Sequence, residues 1–293
     1  MKRFLLLSIL LLETSALYGG GFPSLKLGAD ARSGGMGMAF TALSGDGAAA
    51  YWNPAGLTRL ERKDVQLAIH RWVEGVHSEF LSFGWGNGAW GFGLHALYTE
   101  VGDIEYRVVP SPTPLTTFSA NELVLGFSLA RTLSERIGFG VTVKMLYEKI
   151  FVDEAWGVAA DIGLQWELVE DGLRAGGVIQ NVGWTGTLDE EAIELPFLWK
   201  FGVAFPLSAG EHRLVAVLDV IQERGFPVHV HCGFEAGYKG FLFLRGGYQT
   251  GYDIRSFTGG VGISWKAYRL DYGYMPIDGG FGDSHRLSVG IGW

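Results

Sequence analysis

Residues 137–166 read IGFGVTVKMLYEKIFVDEAWGVAADIGLQW, and the fold turns on how this stretch alternates. Up to the break near residue 150, Ile137, Phe139, Val141, Val143, Met145 and Tyr147 take one side of an extended chain. Gly138, Gly140, Thr142, Lys144 and Glu148 take the other. After the break Trp156, Val158, Ala160, Ile162, Leu164 and Trp166 share a face, with Gly157, Asp161, Gly163 and Gln165 opposite. Successive side chains of a strand point to opposite faces, so a period of two means a two-faced β-strand. A soluble sandwich alternates as well, with its apolar face turned inward. What separates this pattern from a sandwich is the aromatic residues at the ends of the apolar faces: Trp156 and Trp166, Trp90 and Tyr98, and Trp265. Two aromatic girdles bounding an apolar band mark a membrane-spanning barrel.

The alternation extends in both directions. Fourteen strands are predicted, over 65–72, 77–86, 89–99, 118–131, 135–149, 154–167, 172–182, 195–206, 211–222, 228–239, 241–250, 256–266, 268–275 and 284–293. In the eighth, Phe197, Trp199, Phe201, Val203, Phe205 and Leu207 make a wholly apolar face. The ninth and eleventh are ambiguous, because Val215, Val217, Phe241 and Phe243 put apolar groups on both faces. Connections after even-numbered strands are short, such as Gly86-Asn87-Gly88 and Asp171-Gly172. Those after odd-numbered strands are mostly longer: Glu100 to Thr117, Gly183 to Glu194, Pro276 to Asp283. Short periplasmic turns and longer outer loops are the habit of outer-membrane barrels, and predict that both termini face the periplasm. Unpaired backbone in hydrocarbon costs several kcal/mol per group, so the first strand must pair with the last. The fold class is therefore all-β, a closed antiparallel transmembrane barrel.

Before these strands lies GADARSGGMGMAFTALSGDGAAAYWNPAGL, Gly28 to Leu57, which does not alternate. Asp46 is placed to cap a short helix through Ala48 and Tyr51. Asn53 followed by Pro54 repeats the signal, since Pro suits the first helical position. The Gly34–Gly37 run permits tight turns and close backbone approach, and no strand precedes it to make a dinucleotide site. We assign residues 17–64 as a plug inside the barrel of 65–293. Lumen-facing positions rich in Gly, Ala, Ser and Thr leave room for it, which argues against a wide pore.

Lys2-Arg3, an apolar run from Phe4 to Leu12 and small residues at Thr14-Ser15-Ala16 predict a cleaved secretory signal over 1–16. The formal charge of −8 leaves no basic footprint for nucleic acid. One cysteine, Cys232, excludes an internal disulfide and falls on the lipid-facing side of its strand.

Candidate chemistry is sparse. His229 and His231 lie two apart and share a face, with Glu235 further along the same side, so they form a candidate polar site in the lumen. Two such imidazoles plus a third ligand could hold a metal; hydrogen-bonded lumen histidines are the plainer reading. Asp189-Glu190-Glu191 reads as a solvated loop, with headgroup-bridging cations as the alternative. Ser284 and His285 are adjacent and so point to opposite faces, and no Gly-x-Ser-x-Gly elbow is present. Neither an enzyme nor a resident cofactor is expected.

Five stretches carry a family resemblance: ADARSGGMGMAFTALSGDGAAAYWNPAGL, FSANELVLGFSLARTLSERIGFGVTVKMLYEKI, HRLVAVLDVIQ, LRGGYQTGYD and RLDYGYMPIDGGFGDSHRLSVGIGW. In these the chain resembles the PorV/PorQ family within the FadL-like outer-membrane barrels. The resemblance implies a Gram-negative-type outer-membrane location and gives Asn53, Pro54, Ala55 and Gly56 the place of the hatch motif. The terminal strand ending on Trp293 looks like the signal read by the barrel-assembly machinery. Two roles follow from the resemblance. One is a protein-interaction component of type IX-like secretion, with secretion proteins or cargo as partners. The alternative is a FadL-like channel for lateral passage of hydrophobic small molecules.

Overall fold

The computed structural model describes residues 21–188 and 191–293, for 191 and 192 as backbone alone. The expected signal over 1–16, residues 17–20 of the expected plug, Asp189, Glu190 and the side chains of Glu191 and Ala192 lie outside the described residues. Fourteen strands close into one antiparallel barrel. They are β1 (Asp64–Arg71), β2 (Val76–Gly86), β3 (Trp90–Tyr106), β4 (Thr116–Ser134), β5 (Ile137–Ile150), β6 (Asp153–Glu167) and β7 (Arg174–Thr185), followed by β8 (Leu198–Ala209), β9 (His212–Glu223), β10 (Val228–Tyr238), β11 (Leu242–Gln249), β12 (Phe257–Trp265), β13 (Tyr268–Met275) and β14 (Ser284–Gly292). Each pairs with its chain neighbours. The seam closes along the whole of β1, from Asp64 opposite Gly292 to Arg71 opposite His285. A two-residue ladder, Thr187–Leu188 with Glu191–Ala192, decorates the β7–β8 connection. Among the described residues no helix is long and apolar enough to cross a membrane; the strands are the crossing elements.

The apolar strand faces point outward. Leu67, Phe127, Trp156 and Phe201 are each about half exposed (48–53%), and they continue into a belt far larger than a water-soluble monomer carries. Trp156 and Trp166 stand ten residues apart on β6. At ~3.3 Å per residue and a tilt of ~40°, that separation is ~25 Å along the membrane normal, the height of the apolar band of such barrels. The strands at 90–106 and 116–134 run beyond the sequence reading. Their ladder resumes at Ile104 after a register shift past Val101, so much of the expected loop is hairpin.

Residues 21–63 fill the lumen, with three short helices, α1 (Ser24–Leu27), α2 (Ala31–Gly35) and α3 (Ala49–Trp52), and a 3-10 helix over Pro54–Arg59. Phe22, Met36, Phe40, Trp52 and Leu57 are fully buried or nearly so. The first four join inward-facing Phe80, Leu97, Val124 and Leu146 in one apolar cluster. That cluster also contains Val215 and Val217, which explains the ambiguity of β9: its inner face meets the apolar side of the plug instead of water.

The plug spans the lumen lengthwise. Lys26 pairs with Glu223 at the long-connection end (3.0 Å), and Arg59 pairs with Glu167 at the short-turn end (2.9 Å). Gly21 lies against Glu148 and Ile193, near the long connections. Trp293 is bonded to Lys63 at the opposite end. The described plug thus enters the lumen at one end and leaves it at the other; the N-terminus itself, to which the expectation of a shared side applies, lies outside the described residues.

Candidate functional site

Asn53, Pro54, Ala55 and Gly56 lie at the junction between plug and wall. Asn53 is extended (φ −160°, ψ 106°), ends α3, and opens the 3-10 helix by accepting the Ala55 N–H at 3.2 Å. Its Nδ2 donates to Thr41 O (2.9 Å) within the plug and to Leu164 O (3.2 Å) on β6. The wall answers with glycines. A Cβ on Gly163 would overlap Asn53 Oδ1, and one on Gly140 would lie 2.5 Å from the Pro54 carbonyl carbon. Gly56 is needed because a Cβ there would overlap Ser44 O. Gly37 takes a left-handed φ of +67° with its Cβ position 2.7 Å from Cys232 O, as the Gly34–Gly37 run suggested. These contacts link sequence to packing: the small inner face exists because plug backbone lies directly on it.

Asp46 caps the turn that leads into α3 and takes on a second role as well. α3 begins at Ala49, and its N-cap Ala48 has no side-chain bond. Asp46 Oδ1 does accept from Ala48 N–H at 3.1 Å, but its carboxylate is shared with Arg32 (3.5 Å) and Arg269 (3.9 Å). Burial pushes the Asp46 carboxyl up to about 6, with Arg269 and Arg32 pulling it back.

The charges around Asp46 fasten the plug to one side of the barrel. Glu235 accepts from Arg32 Nε and Nη2 (2.8 and 2.7 Å) and from Arg245 Nε (2.7 Å). Arg245 also reaches Asp271 (2.7 Å), and Arg269 grips Asp64 (2.7 Å), which in turn accepts the Gly47 N–H (2.9 Å). Asp219 accepts Phe40 N–H, Thr41 N–H and the Thr41 hydroxyl at 2.7–2.9 Å. Forked guanidinium–carboxylate pairs of this kind fix orientation as well as distance.

His229, His231 and Glu235 all face the lumen and are buried. The structure does not bring the three together. His231 Nε2 bonds Tyr252 Oη (3.0 Å), while His229 donates Nδ1–H to Thr250 O (3.0 Å) and stacks on Tyr252 at 4.2 Å. Glu235 is four residues beyond His231, ~13 Å along the strand, and is held by its two arginines. Among the described residues no group of three His, Cys, Asp or Glu could hold a metal ion. Ser284 does face away from His285, and its hydroxyl lies 2.9 Å from His70 Nε2 instead.

A second feature lies on the outside of β2–β6, where the wall carries a groove of about 750 Å³. Leu81, Leu94, Leu125, Phe127, Val143 and Met145 line it, and Ala96 and Gly126 form its floor. Gly126 has no side chain to face the lumen, and the His95 imidazole occupies that space; a Cβ there would overlap the ring. His95 is 4% exposed and neither ring nitrogen has a partner. Tyr51 meets it edge-on (5.9 Å) and Phe80 lies beside it (6.2 Å). One layer of paired backbone at Gly126, with the His95 imidazole behind it, thus separates an apolar groove on the membrane side from the aromatic core of the plug. A glycine and a histidine at inward positions of adjacent strands were the only hints in sequence; their pairing needs the β3–β4 register, which sets His95 opposite Gly126.

Residues 18–106, covering the plug and the first three strands, match the family described as "Uncharacterised protein family (UPF0164)". No curated protein matches the sequence. Among solved structures the chain is similar to the Pseudomonas putida toluene transporter TodX, with a TM-score of 0.63, 12% identity, and coverage of 90% of this chain and 97% of that one. It is similar to the CymD monoaromatic hydrocarbon channel at TM-score 0.62 and 12% identity, covering 91% and 97%. A Pseudomonas aeruginosa FadL homologue aligns at 0.59 and 10%, covering 90% and 98%. At such identities the shared property is the fold, a FadL-like barrel.

Proposed function

We propose that this chain is an outer-membrane channel through which small hydrophobic molecules pass between the lumen and the membrane, across the wall at Gly126. The observation that carries the proposal is the apolar groove of about 750 Å³ on the lipid-facing side, where the wall at Gly126 is bare backbone backed by the His95 ring, so that passage requires the β3–β4–β5 ladder to part there. The fold shared with proteins named as a toluene transporter and a monoaromatic hydrocarbon channel supports it. Within the lumen, Phe22 and Leu25 stand in the same apolar cluster as Leu97, Val124 and Leu146. They occupy the space a solute needs, so passage requires residues 21–27 to give way. Fully exposing either side chain costs about 1.5–3 kcal/mol, which an entering apolar solute offsets by burying its own surface.

A secretion-component role would need an outer rim able to hold a cargo domain. At the long-connection end β5 and β6 are joined by Phe151 and Val152 alone, and no observation favours that role over the channel. The test is uptake of labelled toluene by cells producing the protein, compared with Gly126→Val. That variant keeps the strand but forces bulk against His95, and we expect at least a tenfold loss of uptake with the barrel still folded. Uptake equal to the parent protein's would refute a route through this part of the wall.

A further inference from the structure

A cluster of cations and aromatic rings at the long-connection end of the β1–β14 seam has no place in the route just described. His70 and Arg286 are direct cross-strand partners there, both facing the lumen, at 2% and 4% exposure. Opposed residues of this kind hold their Cβ atoms ~5 Å apart. Arg286 donates from Nη2 to Leu27 O and lies 4.0 Å from Met38 Sδ, and its Nε has no partner. The acid whose field reaches it, Asp30, is already taken up by Ser33 N–H, the Ser33 hydroxyl and Trp52 Nε1. The other plug and lumen arginines near it behave differently: Arg32, Arg245 and Arg269 each hold a carboxylate at 2.7 Å. A guanidinium removed from water without a counter-ion is costly, and it asks for an anion.

The surroundings say which kind. The Ser284 hydroxyl donates to His70 Nε2, and in that tautomer the proton sits on Nδ1, which has no partner, so one neutral donor stands beside the guanidinium. Trp72 meets the His70 ring edge-on at 5.5 Å, and the Arg255 guanidinium lies over Tyr252 at 4.1 Å and over Trp72 at 5.7 Å. Trp72 also belongs to an apolar patch with Val73, Met275, Ile277 and Phe281. The site therefore offers a planar cationic fork, one neutral donor and an apolar wall.

We propose that Arg286 and His70, with Ser284 holding the imidazole, bind the oxyanion head of a small amphipathic molecule whose apolar body rests against Trp72 and the Met275–Ile277 patch. The fork supplies paired N–H donors to two oxygens, the imidazole Nδ1–H supplies a further one while the Ser284 hydroxyl fixes that tautomer from Nε2, and the charge is neutralised in place. This names a solute class for the channel and rests on that reading for the route, though not for the binding.

Calorimetric titration of the full chain in detergent tests it, with benzoate as the oxyanion with an apolar body, acetate as the head alone and toluene as the body alone. We expect benzoate to bind at least tenfold more tightly than acetate or toluene. Arg286→Gln should weaken benzoate at least tenfold, Arg286→Lys should weaken it less, and toluene should be unchanged in both. Because Arg286 also holds Leu27 O, Ser284→Ala serves as a milder variant with a several-fold loss expected. Absence of benzoate binding, equal binding of toluene, equal binding of acetate, or an unchanged benzoate affinity in both Arg286→Gln and Ser284→Ala would overturn the site. Any of these results alongside normal toluene uptake leaves the channel reading standing.

Discussion

Replacing Asn53 by Ala should release the plug from the wall while leaving the barrel closed. Asn53 is fully buried and its side chain accepts from Ala55 N–H and donates to Thr41 O, to Leu164 O and, more weakly, to Gly177 O. Loss of this N-cap leaves the Ala55 N–H as a buried donor without a partner and costs about 1–3 kcal/mol. Thr41 O keeps Gln165 Nε2 at 3.2 Å and so adds little. About 1–3 kcal/mol is equivalent to a factor of ~5 to ~150 in the docking equilibrium. Hydrogen–deuterium exchange reads this directly, because local opening energies set amide protection. Amides of residues 40–58 should exchange at least ~5-fold faster, and those of β1, β9 and β14 should be unchanged. A further arm isolates the cause. Gly163→Ala alone should also loosen the plug, by about 1–3 kcal/mol of overpacking, because its new methyl overlaps Asn53 Oδ1. In the double variant part of that cost should vanish, since the overlapping atom is gone. Plug protection unchanged in Asn53→Ala, or strictly additive effects in the double variant, would refute the reasoning.

Two other outcomes follow from the charged side of the plug. Glu235→Gln leaves Arg32 and Arg245 facing each other without their shared anion; faster exchange of α2 amides is expected, and restoration by Arg32→Gln in the same chain checks that the repulsion is the cause. For Asp46 the folded-state value near 6 exceeds the ordinary ~3.9 of an aspartate, so the docked plug takes up a proton between these values. Docking should strengthen as pH falls from about 6 to about 4 and weaken as it rises through 6. Asp46→Asn should flatten that dependence in intrinsic-rate-corrected exchange.

The strands were legible because a two-residue period with aromatic ends has few physical solutions once a bilayer is the solvent. All fourteen appear where the alternation puts them, and the glycines of the inner face signalled a close-packed filling. The remaining features depend on contacts distant in sequence. Arg32 and Glu235 lie 203 residues apart, so nothing local marks them as partners, and Glu235 was grouped with the histidines of its own strand instead. Asp46 satisfies a local capping rule but is drawn into a charge network assembled from Arg32 and Arg269. The position of Gly21 at the long-connection end was hidden for a similar reason. A chain without alternation gives no direction of travel, and only the Lys26–Glu223 and Arg59–Glu167 pairs set it. The Gly126 and His95 contact required the register of two strands, which periodicity alone does not supply.

The central claim is that apolar strand faces meet lipid while the glycine-rich faces meet a plug. Cys232 is the single cysteine, so a Cys232→Ala background accepts one fluorescent label at a time. Labels at Leu125, Phe127 and Leu287 should be quenched strongly by nitroxides on lipid acyl chains, and labels at Ser128 and Ser288 should not. Equal quenching at both sets, or the reverse order, would contradict the account.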